Sequence, residues 1–491
     1  MNRGRLVVVS NRLPVTMERI GNQLQFQPSS GGLVSALLPV FKQIGGCWIG
    51  WPGTDCDPEV AFALREQSCA EYCFQPVFLN DTERRCFYHG WANEIIWPLF
   101  HDLSSYCNFD PEYWAVYHEA SEKFADVVEC SAGQKDFVWV HDYHLMMLAD
   151  ALRFRGMNNK MAYFHHIPFP APDMFEKLPW RSEILHGLLQ FNSLGFQTER
   201  DSKNFVGCAL RCLPGAQLIR HEAKLLVRFE GRYTAIGTFP ISIDYRAFAD
   251  DAAHNEVAAR ALEIRGNLEG KKIVLGVDRL DYTKGVVERL LAYRTLLKEE
   301  PGLRGRVTLL QLVVPSREGI ARYGQLKNSI KELVKEINHE FGASGWTPVI
   351  GWHHCVSRSE LLALYRAADV ALITPLKDGM NLVAKEFCAA RVETTGVLVL
   401  SEFAGTALQL ANGALLVNPY DSKGMAATLS KALRMSEPEQ QTRMQQMQRT
   451  VQQSDVFHWC ESIWHDVGFN GPCLHSGRRQ TKEFEPIARA G

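Results

Sequence analysis

Two carboxylates, Asp378 and Glu386, flank a candidate helix start in LKDGMNLVAKEF, residues 376–387, directly after the apolar run DVALIT. Asn381 suits the N-cap position. It would leave the backbone N–H groups of Leu382 and Val383 without intrahelical partners, at the positive end of the helix dipole. Such a terminus is an anion site suited to phosphate. Glu386, one turn beyond Leu382 on the same face, is placed to accept hydrogen bonds from the ribose of a nucleotide. Asp378, on the other side of the anion, suits the hydroxyls of a sugar. The plain alternative for Lys385–Glu386 is a solvated helix face; beside Asp-Gly-Met-Asn the site reading is preferred.

A second group sits in DRLDYTKG. Arg279 as a fork and Lys284 as a point charge could meet a diphosphate. The competing reading is surface charge balanced by Asp281. Gly31-Gly32, at the start of an apolar-periodic helix, lets backbone approach a ligand, although glycine pairs often only turn the chain. HDYH, residues 141–144, has His at i and i+3 like a metal site, but no further ligands cluster with it. A strand-end His is more often satisfied by backbone, so no metal is expected. In FYHGWANEIIWPLFH (87–101), Tyr88 and Trp97 could floor a sugar site, where apolar ring faces pack well.

These residues need a frame that gathers them. Short β-branched runs alternate with helical patterns: RLVVVSN, DFVWVHD, KMAYFHH, SLGFQT and YTAIGTFP, then KKIVLGVDR, RVTLLQLVVP, TPVIGWHH, VALITP, VLVLSE and ALLVNP. The alternation predicts parallel sheets with helices on both faces. FPISIDYRAF (239–248) interrupts it, and a fresh strand series begins at Lys271. The expected fold is α/β, two doubly wound Rossmann-like domains of residues 1–240 and 241–454 facing across a central cleft, with a loose tail at 473–491. Ligands of open parallel sheets sit at the carboxyl ends of strands. Those ends carry Arg12, Asp142, His165, His166, Arg279, Arg317, Lys377 and Asp378.

Composition narrows the class. Of 491 residues, 46% are apolar and 22% charged, and the net charge is −2, which gives no general pull toward nucleic acid or an anionic membrane. No run approaches the ~20 apolar residues of a membrane span. The N-terminal apolar run is too short for a signal peptide. The thirteen cysteines form no CxxC pair, and Cys69/Cys73 and Cys208/Cys212 read as shared helix faces. A reduced, cytoplasmic chain is expected.

VVVSNRLP, GGL, WIGW, NEIIWPLFH, WVHDYHL, HHIPFP, LGFQT, DRLDYTKG, WTP and TPLKDGMNLVAKEF occur in this order. With them the chain resembles the trehalose-6-phosphate synthases, retaining enzymes of glycosyltransferase family 20 with the GT-B fold, from residue 5 to about 465. The resemblance implies glucose transfer from UDP-glucose to glucose 6-phosphate, with no cofactor or metal. It implies that helix 455–472 crosses back to the first domain. It makes Arg279, Lys284, Asp142 and His166 the catalytic set. Gly32, Arg279, Lys284, Asp378, Asn381, Leu382, Val383 and Glu386 would hold the donor, and His166 with Asp378 the transferred glucose. Arg12, Trp51, Tyr88, Trp97, Asp142 and Arg317 would hold the acceptor. The partners would be these small molecules, with no nucleic acid or membrane; self-association stays open. YHGWAN departs from the family's usual Tyr-Asn-x-Phe-Ser-Asn beside the acceptor. HHIPFP with LPWRSEIL has the flavour of relatives that glucosylate glycerol 3-phosphate, which is the alternative acceptor. Non-enzymatic readings are a two-lobed sugar-binding protein or an inactive regulatory relative; a separate, enzymatic alternative is a phosphorylase with a pyridoxal cofactor, a cousin at the level of fold.

Overall fold

The computed structural model describes residues 4–20, 23–28, 31–54, 56–66, 72–221, 224–317, 319–471 and 474. Cys69 and, Leu474 apart, the tail from 473 lie outside them. The chain forms two compact units, Met1–Ile241 with Val456–Gly491, and Ser242–Asp455. They are called unit 1 and unit 2.

Unit 1 contains β1 (Leu6–Arg12), β2 (Val15–Ile20), β3 (Gln23–Pro28), β4 (Gly46–Trp51), β5 (Tyr72–Pro76), β6 (Phe137–His141), β7 (Met161–Phe164), β8 (Ser193–Phe196), β9 (Gln217–His221), β10 (Lys224–Phe229) and β11 (Arg232–Thr238). Its main sheet has nine strands in the order β5-β4-β1-β6-β7-β8-β11-β10-β9. Val7, Val8 and Val9 of β1 are fully buried, as a central strand covered on both faces requires. The sheet is parallel from β5 to β11, but β10 and β9 run antiparallel. This corrects the expectation of a wholly parallel sheet. The extension is built by a two-residue turn, Glu230-Gly231, with φ of 47° and 78°. Both central residues at positive φ give the turn a twist that matches paired strands.

β2 and β3 form a separate two-stranded ribbon. The aromatic segment is a wide helix, Arg84–Ile96, continuing as the α-helix Trp97–Phe100. At their junction the Trp97 N–H donates to Ala92 O, five residues back. The last helix of unit 1, Val456–Val467, buries Trp459, Cys460, Ile463 and Trp464. Trp459 lies 5.0 Å from the Trp139 ring of β6, and its indole N–H donates to Phe239 O at 3.1 Å.

Unit 2 contains β12 (Lys272–Arg279), β13 (Val307–Val314), β14 (Val349–Trp352), β15 (Val370–Ile373), β16 (Val397–Ser401) and β17 (Leu415–Val417). They form one parallel sheet in the order β14-β13-β12-β15-β16-β17. Side chains of a strand alternate between its two faces. Accordingly Ile273, Leu275 and Val277 of β12 enter one core, and Val274 the other. Among the described residues no helix is long and apolar enough to cross a membrane.

Each sheet has a point where the strand order reverses. In unit 2 the chain leaves β12 for β13 and β14, then returns to β15 on the other side of β12. In unit 1 it leaves β1 for β4 and β5, then returns to β6. Loops leaving adjacent strands toward opposite sides open a crevice there.

Candidate active site

At the unit 2 reversal, the loop after β12 carries Lys284 and the loop after β15 carries Asp378. Lys284 Nζ lies 2.6 Å from Asp378 Oδ2. Asn381 Nδ2 also donates to that oxygen, at 3.2 Å, while Asn381 Oδ1 accepts from Ala384 N at 3.2 Å. Asn381 thus caps the helix Leu382–Ala390, whose first turn presents Leu382 and Val383. Gly285 follows Lys284 at φ 62°, and a Cβ there would stand 2.1 Å from Thr374 O, so only glycine lets the two loops close together.

Glu386 sits one turn into that helix and accepts a hydrogen bond from Tyr365 OH at 2.9 Å. Burial raises its carboxyl above the usual range, against the lowering effect of the Tyr365 hydroxyl. Lys385 is fully buried, not part of a solvated face, and burial pushes its ammonium down to about 7. Arg279 is exposed at the end of β12.

Asp281 pairs with Arg317 at 3.0 Å rather than neutralising Arg279 or Lys284 alone. Tyr323 OH bridges the pair, 2.6 Å from Arg317 Nη1 and 3.3 Å from Asp281 Oδ2. Burial opposes the Asp281 charge, but Arg317 and then Lys284 outweigh it and hold the carboxyl below its usual range. Beneath the loop, buried Arg289 meets Asp278 at 2.5 Å.

Unit 1 gathers its candidates through rings. The Arg12 guanidinium lies 4.5 Å over the Trp51 ring and 5.5 Å over Tyr88. Tyr88 stacks on His144, His144 on Tyr143, and Tyr143 meets Trp97 at 5.9 Å. Asp142, at the end of β6, anchors this run by accepting from Tyr143 N at 3.0 Å. Its φ of 74° and ψ of 163° lie in a region that only glycine enters freely. His141 faces an imidazole, not backbone: its Nδ1 is 3.1 Å from His166 Nε2. Gly32 opens the helix Gly32–Ile44, so the expected donor set is divided between the units. Among the described residues no group of three or more His, Cys, Asp or Glu could hold a metal ion.

The sequence pattern described as Glycosyltransferase family 20 matches residues 4–468. The chain belongs to glycosyltransferase family 20. It is 36% identical over 468 residues to the UDP-forming alpha,alpha-trehalose-phosphate synthase of Candida albicans, a match covering 94% of this chain and 97% of that one. The crystal structure of a UDP-forming alpha,alpha-trehalose-phosphate synthase from Burkholderia xenovorans in complex with glucose-6-phosphate matches with a TM-score of 0.86 at 32% identity, over 95% of this chain and all of that one (100%). A structure described as trehalose-6-phosphate from E. coli bound with UDP-2-fluoro glucose matches with a TM-score of 0.85 at 34% identity, over 94% and 99% of the two chains. The fold of this family-20 chain is GT-B, as its motifs imply.

In this glycosyltransferase the groups that sequence reading left out are the ones behind the expected residues. Tyr323 and Asp281 fix Arg317, Tyr365 fixes Glu386, and His141 meets His166. Asp281 and His141 lie inside motifs already singled out, which was their available signal. Tyr323 and Tyr365 sit on helices with apolar periodicity and read as core.

Proposed function

We propose that this chain is a retaining glucosyltransferase that moves glucose from UDP-glucose to glucose 6-phosphate, forming α,α-trehalose 6-phosphate and UDP. The observation that carries this reading is the end of unit 2, where Lys284, Asp378, Asn381 and a helix N-terminus converge at the sheet reversal. A cation, a carboxylate and exposed peptide N–H groups suit the diphosphate and sugar of one donor. The named relatives support the choice of uridine donor and phosphorylated glucose acceptor.

Arg279, Lys284 and the Leu382 and Val383 amides take the diphosphate, together with backbone at Gly32. Glu386 accepts from the ribose, and Asp378 and His166 hold the transferred glucose. Arg12 and Arg317 take the acceptor phosphate, with Trp51, Tyr88, Trp97 and Asp142 about its sugar. The glucose C1–O bond to the diphosphate breaks while C1 bonds the acceptor hydroxyl on the same face. The hydroxyl proton passes to the departing diphosphate oxygen, so configuration is retained without a protein nucleophile. Stabilising the charge that builds on that oxygen is then the main electrostatic task. No metal or cofactor takes part, and the protein acts in the cytoplasm.

The test offers purified protein UDP-glucose with glucose 6-phosphate or glycerol 3-phosphate, with and without chelator, and identifies products. Trehalose 6-phosphate from the first acceptor, made equally with chelator, is expected. Product only from glycerol 3-phosphate overturns the acceptor. Activity lost with chelator and restored by a divalent ion overturns the metal-free scheme.

A further inference from the structure

The imidazoles of His141 and His166 share one hydrogen bond, Nδ1 to Nε2 at 3.1 Å. Burial lowers both from the ordinary histidine range, His141 to about 3 and His166 well below its usual value, so both are neutral at pH 7. Each ring then carries one proton, and two arrangements are open. In one, His166 Nε2–H donates to His141 Nδ1, which places the His141 proton on Nε2. That atom is buried, with no hydrogen-bond partner among the described residues. The neighbouring Trp139 ring, 4.5 Å away, has its indole N–H buried without a partner as well. Two orphaned N–H donors would then stand in one apolar shell, a rare and costly state.

In the other arrangement His141 Nδ1–H donates to His166 Nε2, and the buried His141 Nε2 is a bare acceptor beside that indole. This removes one orphaned donor and fixes the His166 proton on Nδ1. Trp459, 6.3 Å from the His141 ring and 6.2 Å from the His166 ring, helps close the shell around the pair. His141 is fully buried, whereas His166 is half-buried.

We infer that His141 is a positioning residue that locks His166 as its Nδ1–H tautomer, so that His166 presents a hydrogen-bond donor to a hydroxyl of the transferred sugar. The sugar contact rests on the transferase reading above; the tautomer rests on the buried pair alone. His141 touches neither substrate. Its effect is to remove the tautomer in which His166 would offer a lone pair where a donor is needed. A preorganised donor strengthens as the sugar reorganises in the transition state, so the effect falls on kcat more than on KM.

The experiment uses the full chain with nitrogen-15 in its histidines and long-range proton–nitrogen correlation, His166 being assigned by its loss in His166→Gln. His166 should show a protonated Nδ1 and a bare Nε2 at neutral pH. A protonated Nε2 in the unsubstituted protein overturns the inference, whatever the variants do. His141→Phe, which removes the donor, should release the Nε2–H form and lower kcat on the order of tenfold to a hundredfold, with little change in KM for glucose 6-phosphate. His141→Asn, whose amide can donate, should recover most of both losses. Equal losses in the two variants, or full kcat in His141→Phe, overturn the positioning role. If the expected tautomer appears in a protein that transfers no sugar, the transferase reading falls and the tautomer assignment stands.

Discussion

The two sheet reversals solve one problem with opposite materials. In unit 2 the loops after β12, β13 and β15 meet through charge: Lys284 of the first on Asp378 of the third, and Arg317 of the second on Asp281 of the first. In unit 1 the ends of β1 and β6 are lined by rings, with Arg12 lying over Trp51 and neutral histidines behind. Paired charges suit a strongly anionic ligand and tolerate desolvation because each has a partner. Ring faces and neutral imidazoles define a shape with little field, which suits sugar hydroxyls and apolar C–H faces. In each unit, backbone at positive φ recurs among the candidate residues: Asp142 in unit 1, Arg317 and Asn381 in unit 2. Strained residues of this kind persist where the surroundings over-determine them.

The contrast can be broken at its packing. Trp459→Ala should destabilise unit 1 by about 3–5 kcal/mol, as large-to-small core changes do, read as a lower denaturant midpoint. A loss under about 1 kcal/mol would mean that the ring shell is not held by this helix. Lys284→Ala tests the charged side. It should fold normally and lower kcat roughly a hundredfold or more, equivalent to about 3–4 kcal/mol of barrier. Arg279→Ala should behave alike, and near-normal turnover in both would remove the diphosphate assignment.

Lys385 sharpens the comparison through pH. Its folded ammonium titrates near about 7, and an unfolded lysine near ~10.4. Between those values the unfolded chain binds the extra proton, so this group makes unfolding harder as pH rises and easier as it falls. Denaturation at pH ~7 and ~9 should show wild type gaining about 2–3 kcal/mol relative to Lys385→Met. Parallel curves would place the charge elsewhere. Smallest is Trp51→Leu, which removes a ring beneath Arg12 and should raise KM for glucose 6-phosphate severalfold, about 1 kcal/mol. An unchanged KM would detach that ring from the acceptor.

The central strands were legible because a strand covered on both faces must be a nearly unbroken apolar run, as VVV of β1 and VALI of β15 are. β9 and β10 were not read as strands. QLIRH and KLLVRF carry short apolar runs flanked by polar and basic residues, with no clean two-residue alternation, and Glu230-Gly231 lacks the usual Asn or Asp of a tight hairpin turn. The wide helix Arg84–Ile96 escaped because a shift to five-residue hydrogen bonding leaves no fixed mark in composition. Within the site, motif residues such as Lys284, Asp378 and Asn381 could be named one at a time. Their contact follows from β15 lying beside β12, a fact of topology across ninety-odd residues of chain. The Tyr365–Glu386 and His141–His166 contacts are hidden for the same reason.

Because Trp459 belongs to unit 1 but follows the whole of unit 2 in sequence, a ribosome releases the first 241 residues well before the helix that covers the Trp139 face. At ordinary elongation rates the nascent unit waits roughly 10–40 s with that aromatic wall bare. The Trp139 face is therefore covered only after unit 2 has been made, and a truncated product lacking those last turns would leave that face bare.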